Sequence, residues 1–139
     1  MNVRKMTLDD IVHLKLPEEW MRERYIPYIE AQTGPAWVLE DEGKILCMFG
    51  ASFYWKGVCE VWFNLIEKTK PITQVRTIRR YLEEQAKVYG AWKAFAMIKC
   101  NFLVGKKFVE AVGFKYKTTL EKHHPDKSDA YLYERFFDE

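Results

Sequence analysis

Basic side chains gather at one place in the sequence, around the start of a predicted helix. They are Lys68, Lys70, Arg76, Arg79 and Arg80. Lysine and arginine make charge-assisted hydrogen bonds to phosphate, and the first turn of a helix adds backbone N–H groups that also favour an anion. The cluster therefore predicts a phosphate or adenine-nucleotide site. The alternative interpretation is an exposed, solvated helix face.

Two carboxylates stand at a run rich in β-branched and aromatic residues, 58–66. Glu60 lies inside this run, two residues before Trp62, and Glu67 follows its end. A carboxylate held on a strand can act as a general base. The alternative is that Glu60 is an outward-facing charge, since glutamate is mostly exposed in folded proteins.

Histidine and cysteine form neither a metal-binding nor a disulfide pattern. His123 and His124 are adjacent, so they would point to opposite sides of a strand end, and no further His or Cys stands at ligand spacing. We therefore assign them to a solvated loop and predict no metal. The cysteines, Cys47, Cys59 and Cys100, are an odd number without C-x-x-C spacing, which is typical of buried thiols in a reducing compartment.

The elements that must position these groups alternate between strand and helix patterns. The predicted order is β-α-α-β-β-β-α-β-α-β-β, an α/β fold with a mixed, mostly antiparallel sheet and helices on both faces. The most regular helix covers 72–89 and ends at Gly90. The strand after it, 92–98, is apolar at nearly every position. Because a helical crossover joins them, strands 58–66 and 92–98 are expected to be parallel.

Local signals set the ends of the shorter helices. Thr7 and Asp10 predict a capping box that starts the first helix. Pro27 is expected to kink the second helix or end it early. Asn101 stands between strand 92–98 and the last helix, 102–112, a position at which asparagine commonly caps a helix.

Size and charge narrow the class of protein. A length of 139 residues suits one domain, so residues 1–139 are predicted to form a single domain. Lysine and arginine number 22 against 20 acidic residues, and the resulting net charge of +2 is too small to indicate nucleic-acid binding. No leader pattern opens the chain and no apolar run approaches the roughly 20 residues that span a bilayer, so we expect a cytoplasmic protein without a membrane partner.

The element order resembles that of the GNAT superfamily of acyl-CoA-dependent N-acyltransferases, over essentially the whole chain. The best local match is 99–114, where a strand end, Asn101, an amphipathic helix and Gly113-Phe114 resemble the family's asparagine-to-Gly-Phe segment. The resemblance implies transfer of an acetyl group from acetyl-CoA to a small-molecule or peptide amine. Backbone N–H groups of strand 58–66 would hold the oxyanion, and Glu60 would take the amine proton directly or through water.

The same resemblance implies a set of acetyl-CoA contacts. The family has a glycine-rich loop before the helix that follows its fourth strand, whereas the corresponding segment here, 67–80, contains no glycine. Cationic side chains would take over phosphate binding, so acetyl-CoA is expected to bind weakly or not at all. The implied coenzyme-binding residues are Ile66, Lys68, Lys70, Thr73, Gln74, Arg76 and Asn101.

A tyrosine acid is absent from the place where many family members have one. In those members the tyrosine stands a few residues before the Gly-Phe pair. The corresponding residue here, counted back from Gly113, is Val109 or Phe108, and neither side chain can donate a proton. Tyr116 and Tyr89 are phenols elsewhere in the chain. The sequence does not place either phenol, and we take Tyr116 as the second catalytic candidate beside Glu60.

A narrower resemblance implies a different function. Small GNAT-like internal virion proteins of short-tailed phages lack the glycine loop and carry a basic helix after the fourth strand. Residues 61–63, the helix containing Arg76, Arg79 and Arg80, and residues 108–113 are similar to that group. The alternative is thus a catalytically lapsed GNAT-fold protein of phage or prophage type. It would have a structural or binding role in a virion, with virion proteins or a second copy of the chain as partners.

Overall fold

A computed structural model of the protein describes residues 1–31 and 34–137. Its elements follow the predicted order. Along the chain they are β1 (Asn2–Lys5), a 3-10 helix (Leu8–His13), α1 (Glu19–Ala31), β2 (Ala36–Asp41), β3 (Lys44–Trp55), β4 (Val58–Leu65), α2 (Pro71–Tyr89), β5 (Lys93–Lys99), α3 (Leu103–Ala111), β6 (Lys115–Leu120) and β7 (Ala130–Phe136). No helix in the described ranges is long and apolar enough to cross a membrane.

The strands of the described residues form a mixed sheet in the order β1-β2-β3-β4-β5-β7-β6. The pairs β1–β2, β2–β3, β5–β7 and β6–β7 are antiparallel. The pair β4–β5 is parallel, as predicted from the helical crossover α2. These pairings confirm the predicted fold class, a mixed and mostly antiparallel sheet with helices. The insertion of β7 between β5 and β6 was not predicted, because hydrophobic periodicity carries no information on strand order.

The chain consists of two compact units. The first comprises Met1–Ser52 and Trp62–Thr69, and the second comprises Phe53–Val61 and Lys70–Glu139. That residues 1–139 form a single domain stays a prediction.

The first unit is built on the β2–β3 hairpin. Glu42 and Gly43 both have positive φ, at 51° and 79°, which matches the right-handed twist of a two-residue hairpin turn. Cys47, Met48 and Phe49 follow each other in β3 and are each 0% exposed. Because consecutive strand residues point to opposite faces, β3 must be covered on both faces in this region.

The predicted capping box at Thr7 starts a 3-10 helix of six residues, Leu8–His13. Leu8 and Val12 are 70% and 82% exposed, so their apolar side chains do not anchor this segment. Asp10 instead anchors the segment: its carboxylate accepts hydrogen bonds from Arg4 Nη1 and Nη2 at 2.9 and 2.8 Å and from Thr7 N at 2.8 Å. A polar contact, rather than apolar burial, therefore holds this turn.

Helix α1 continues through Pro27 to Ala31. The helix does not end early, and a kink at Pro27 stays a prediction. A proline removes one N–H donor and frees the carbonyl four residues earlier. Here that carbonyl belongs to Glu23, and both Glu23 and Pro27 are exposed. Water can satisfy the freed carbonyl, which lowers the cost of the proline.

The core of the second unit joins α2 and α3 to the sheet. Its buried side chains include Ile78, Leu82 and Ala86 of α2, Phe108 and Val109 of α3, and Ala94, Ala96 and Tyr133 of the strands. Helix α2 ends at Gly90, where φ is 68°, as predicted. Leu103, the first residue of α3, is 64% exposed.

Arg135 of β7 ties both helices of the second unit to the sheet. Its Nη1 donates to Val112 O at 2.9 Å, and its Nη2 donates to Glu83 Oε1 at 2.5 Å. The Arg135 guanidinium holds the pKa of Glu83 below its usual value. One side chain thus satisfies a carbonyl at the end of α3 and pairs with a charge on α2.

Thiol reactivity should report the burial of the cysteines. Cys47 and Cys59 are 0% and 3% exposed, and Cys100 is half-buried. Burial raises the pKa of Cys47 strongly and that of Cys59 to about 11, so both resist forming the reactive thiolate. We expect an aromatic disulfide reagent to modify Cys100 in the native protein and the other two only after denaturation. A Cys100→Ser variant should lose the native reaction, and rapid native modification of Cys59 would contradict this packing.

Candidate functional site

Glu60 is the third residue of β4 and belongs to the second unit. Its neighbours along the strand, Cys59 and Val61, are 3% and 4% exposed, whereas Glu60 is half-buried. Alternate strand residues point to opposite faces. Cys59 and Val61 therefore enter the core, and the carboxylate of the predicted base reaches the accessible side of the strand.

Two aromatic residues contact or flank the Glu60 carboxylate. Tyr54 Oη donates a hydrogen bond to Glu60 Oε2 at 2.7 Å, and Phe95 is the register partner of Glu60 across the parallel β4–β5 pair. The rings of Tyr54 and Phe95 meet edge to face, with centroids 5.2 Å apart and planes at 83°. Within the described residues, Glu60 Oε1 has no hydrogen-bond partner. One carboxylate oxygen is held and the other can receive a substrate proton.

Sequence reasoning did not connect Tyr54 or Phe95 with Glu60. The available signal was the short turn between β3 and β4, where Gly57 has a φ of 86°. Such a turn folds the end of β3 back beside the start of β4. The contribution of Phe95 depends on the register of β5, which no local pattern specifies.

The start of α2 offers backbone donors to an anion. Lys70 has a left-handed backbone, with φ at 49°, and Pro71 is the first helical residue. Proline has no N–H, so Ile72 and Thr73 carry the N–H groups that the first turn leaves without intrahelical partners. Gln74 N already donates to Lys70 O at 2.9 Å. The first turn thus offers two backbone N–H groups to an anion, fewer than a glycine-rich loop would offer.

The predicted coenzyme side chains of the second unit differ in exposure. Lys70, Thr73 and Arg76 are exposed around the first turns of α2, where a cation can meet a phosphate. Gln74 is only 4% exposed, because it shares the buried face of the helix with Ile78. The side chain of Gln74 is therefore withdrawn from solvent.

Ile66 and Lys68 belong to the first unit. The N–H groups of Ile66 and Glu67 both donate to Leu46 O, at 2.9 and 3.1 Å. Lys68 is exposed. The Ile66 N–H is thus engaged within the first unit, and only its carbonyl and side chain remain for a ligand.

Asn101 does not cap α3, so that interpretation is wrong. The N-cap residue is Phe102, and Asn101 lies one residue earlier in a turn closed by Phe102 N donating to Lys99 O at 2.9 Å. Asn101 is exposed, and within the described ranges its side chain makes no hydrogen bond. Its amide is available to a ligand.

Tyr116 lies far from Glu60 in the second unit. It is on the edge strand β6, and both β5 and β7 stand between β6 and β4. Three interstrand spacings of about 4.8 Å put the two backbones roughly 14 Å apart. The Tyr116 hydroxyl shares a hydrogen bond with Thr119 Oγ1 at 2.7 Å. The structure therefore does not bring the two catalytic candidates together.

His123 and His124 lie in the loop between β6 and β7, as predicted. Both backbone N–H groups donate to Ser128 O, at 3.0 and 3.1 Å. In residues 1–31 and 34–137, no group of three or more His, Cys, Asp or Glu side chains could hold a metal ion.

Solved structures share this architecture. An acetyltransferase of the GNAT family from Bacillus anthracis matches with a TM-score of 0.73 and 13% identity, covering 99% of this chain and 95% of that chain. The yncA protein from Salmonella typhimurium, solved with its cofactor acetyl-CoA, matches with a TM-score of 0.74 and 13% identity, covering 99% and 94%. The chain has the GNAT fold.

The GNAT fold is also that of a variant spermidine N-acetyltransferase from Vibrio cholerae. It matches with a TM-score of 0.72 and 14% identity, covering 99% of this chain and 96% of that chain. No protein-family model matches the chain, and no curated protein matches it in sequence. The predicted resemblance to the GNAT superfamily is therefore confirmed by structure, at the level of the fold.

Proposed function

We propose that this protein transfers an acetyl group from acetyl-CoA to a primary amine of a small molecule or peptide, as a single domain in the cytoplasm. The observation that carries the proposal is the Glu60 carboxylate, oriented by Tyr54 on the accessible side of β4 in a GNAT fold. One neighbour of this fold is named for spermidine and another holds acetyl-CoA. Both support an amine acceptor and an acetyl-CoA donor.

Glu60 prepares the amine for attack. Acetyl-CoA supplies the acetyl group as a thioester. The amine nitrogen forms a bond to the carbonyl carbon, the C–S bond breaks, and Glu60 takes the amine proton directly or through water. Backbone N–H groups of β4 stabilise the oxyanion. Because a thiol has a pKa of about 8.5, the coenzyme can leave as a thiolate near neutral pH without a tyrosine acid.

Cationic side chains hold the coenzyme phosphates. Lys70 and Arg76 are exposed around the first turns of α2. The N–H groups of Ile72 and Thr73 have no partner within the helix there, which suits an anion. Asn101, on the same unit, is exposed and can donate a further hydrogen bond. Lys68 is an exposed cation of the first unit. Since glycine-rich backbone is replaced by side chains, binding is weak and depends on salt.

Acetyl-CoA affinity is expected to fall when these cations are removed. Replacing Lys70 or Arg76 with alanine should weaken binding about threefold to tenfold at low salt, since each loses one solvent-exposed charged contact. High salt should reduce the affinity of the unchanged protein and shrink the difference between variants. Calorimetric titration with acetyl-CoA measures both effects.

The matched control is Arg80→Ala, an exposed arginine one turn further along α2. At physiological salt, where the Debye length is about 8 Å, it should change the affinity less than Arg76→Ala does, because its charge lies one turn, about 5.4 Å, further from the start of the helix. Tight binding that is unaffected by salt and by Arg76→Ala would contradict the assignment of phosphate binding to side chains.

The second candidate is a catalytically lapsed GNAT-fold protein with a structural or binding role, in a phage virion or as a homodimer. The observation in its favour is the start of α2, where Pro71 removes one N–H donor and no glycine allows close backbone approach. Thiol release from acetyl-CoA in the presence of a panel of amines separates the two functions. Release supports the transferase, whereas no release and no calorimetric binding support the lapsed protein.

A further inference from the structure

We propose that Tyr54, Phe95 and Glu60 form a subsite that receives the acceptor as a positively charged ammonium group, and that Tyr54 is a positioning residue for the Glu60 carboxylate. The identity of this ligand as an acceptor rests on the proposed acetyl transfer. The subsite itself lies entirely within the second unit, at the end of β3, the start of β4 and the middle of β5.

Two aromatic rings form a corner beside the carboxylate. The Tyr54 and Phe95 centroids are 5.2 Å apart and their planes are nearly perpendicular, at 83°. Tyr54 is 53% exposed and Phe95 is half-buried, so a small group can reach them. A ring face attracts cations through its quadrupole, and a corner of two rings with a carboxylate is a favourable site for an ammonium ion.

The carboxylate lacks a cation of its own. Within the described residues, Glu60 makes no ion pair. The lysine at the start of β5, Lys93, is engaged elsewhere: its Nζ lies 3.3 Å from Glu134 Oε2 and 5.7 Å above the centre of the Phe136 ring. A ligand that carries a positive charge can therefore neutralise this half-buried carboxylate.

The hydroxyl of Tyr54 decides which carboxylate oxygen the ligand meets. It donates to Oε2 at 2.7 Å, which leaves Oε1 as the acceptor for an ammonium N–H. A primary ammonium has three N–H donors, so one can bind Oε1 while the charge contacts the rings. An alcohol of the same size has the same apolar body but lacks the charge, and the subsite should reject it.

Ammonium binding can be measured without acetyl-CoA. Protein with ¹³C-labelled aromatic rings is titrated with n-butylammonium and, separately, with n-butanol, and the NMR signals of Tyr54 and Phe95 are followed. We expect saturable shifts with the ammonium ion and none with the alcohol. Tyr54→Leu and Glu60→Gln should each weaken ammonium binding about threefold to tenfold, the range expected for a lost cation–π or charge contact.

Tyr116→Leu is the matched control, an equally exposed tyrosine on the edge strand β6, and it should leave butylammonium binding unchanged. Equal binding of the alcohol and the ammonium ion would overturn the subsite. So would a Glu60→Gln variant that binds butylammonium as well as the unchanged protein.

Tyr54→Phe separates positioning from binding. It keeps the ring and removes the hydroxyl, so the KM for an amine should stay within about twofold while kcat falls, whereas Tyr54→Leu should raise KM. An unchanged kcat in Tyr54→Phe would remove the positioning role.

Ammonium binding without thiol release from acetyl-CoA would refute acetyl transfer but keep the subsite. Thiol release that Tyr54→Leu does not alter would refute the subsite but keep acetyl transfer.

Discussion

Replacing Glu60 with glutamine is expected to lower kcat/KM for acetyl transfer at neutral pH by about 100-fold or more, the usual contribution of a positioned general base. Glutamine keeps the size of the side chain and can still accept a hydrogen bond from Tyr54 Oη, whose present distance to Oε2 is 2.7 Å. It cannot take a proton from the amine. Thiol release from acetyl-CoA, followed as the amine concentration is varied, measures the loss.

Two further variants test whether Glu60 is the base. Glu67→Gln alters the other carboxylate of this segment, which is exposed, and Tyr116→Phe alters the phenol on β6. Both should retain most of the activity. At saturating amine the rate should rise with pH as the bound ammonium group loses its proton, without a descending limb from a phenol with a pKa near 10. A large loss in Tyr116→Phe, or full activity in Glu60→Gln, would show that another group performs the proton transfer.

Replacing Asp10 with asparagine is expected to lower the free energy of unfolding by about 2 kcal/mol at neutral pH. Asp10 is 6% exposed and accepts two hydrogen bonds from the Arg4 guanidinium and one from Thr7 N. The hydrogen bonds from Arg4, reinforced by Thr7, lower the pKa of Asp10 to about 2. Urea unfolding of the two proteins, followed by circular dichroism, measures the difference.

The effect of Asp10 should depend on pH. A carboxyl group whose pKa is depressed in the folded state stabilises the protein above its unfolded pKa of about 4. That contribution decreases as the pH falls towards the folded value of about 2. The gap between the unchanged protein and Asp10→Asn should therefore close on acidification.

Asp9→Asn is the control, since Asp9 is the exposed neighbour of Asp10 on the same 3-10 helix. It should change the free energy of unfolding by less than about 0.5 kcal/mol, as surface substitutions usually do. A gap between Asp10→Asn and the unchanged protein that stays constant from neutral pH to about pH 2 would indicate that packing, rather than the ion pair, is responsible.

The sequence predicted correctly those elements that have strong local signals. Helix α2 has an apolar face through Ile78, Leu82 and Ala86 and ends at Gly90, and it was predicted to within one residue. Predictions based on one local residue were less reliable. Pro27 did not end α1, because the carbonyl that it frees is exposed to water. Asn101 did not cap α3, because it lies in the turn closed by Phe102 N and Lys99 O.

The sequence by itself determined the order of strands and helices along the chain, the parallel β4–β5 pair and the place of Glu60 on β4. These follow from periodicity, turn residues and the handedness of crossovers, which act over short stretches of chain. Only the tertiary structure decided the neighbours of Glu60. Tyr54 reaches the carboxylate through the β3–β4 turn, and Phe95 comes from another strand. Contacts between distant residues depend on register and strand order, which the packing of the whole core selects and no single segment encodes.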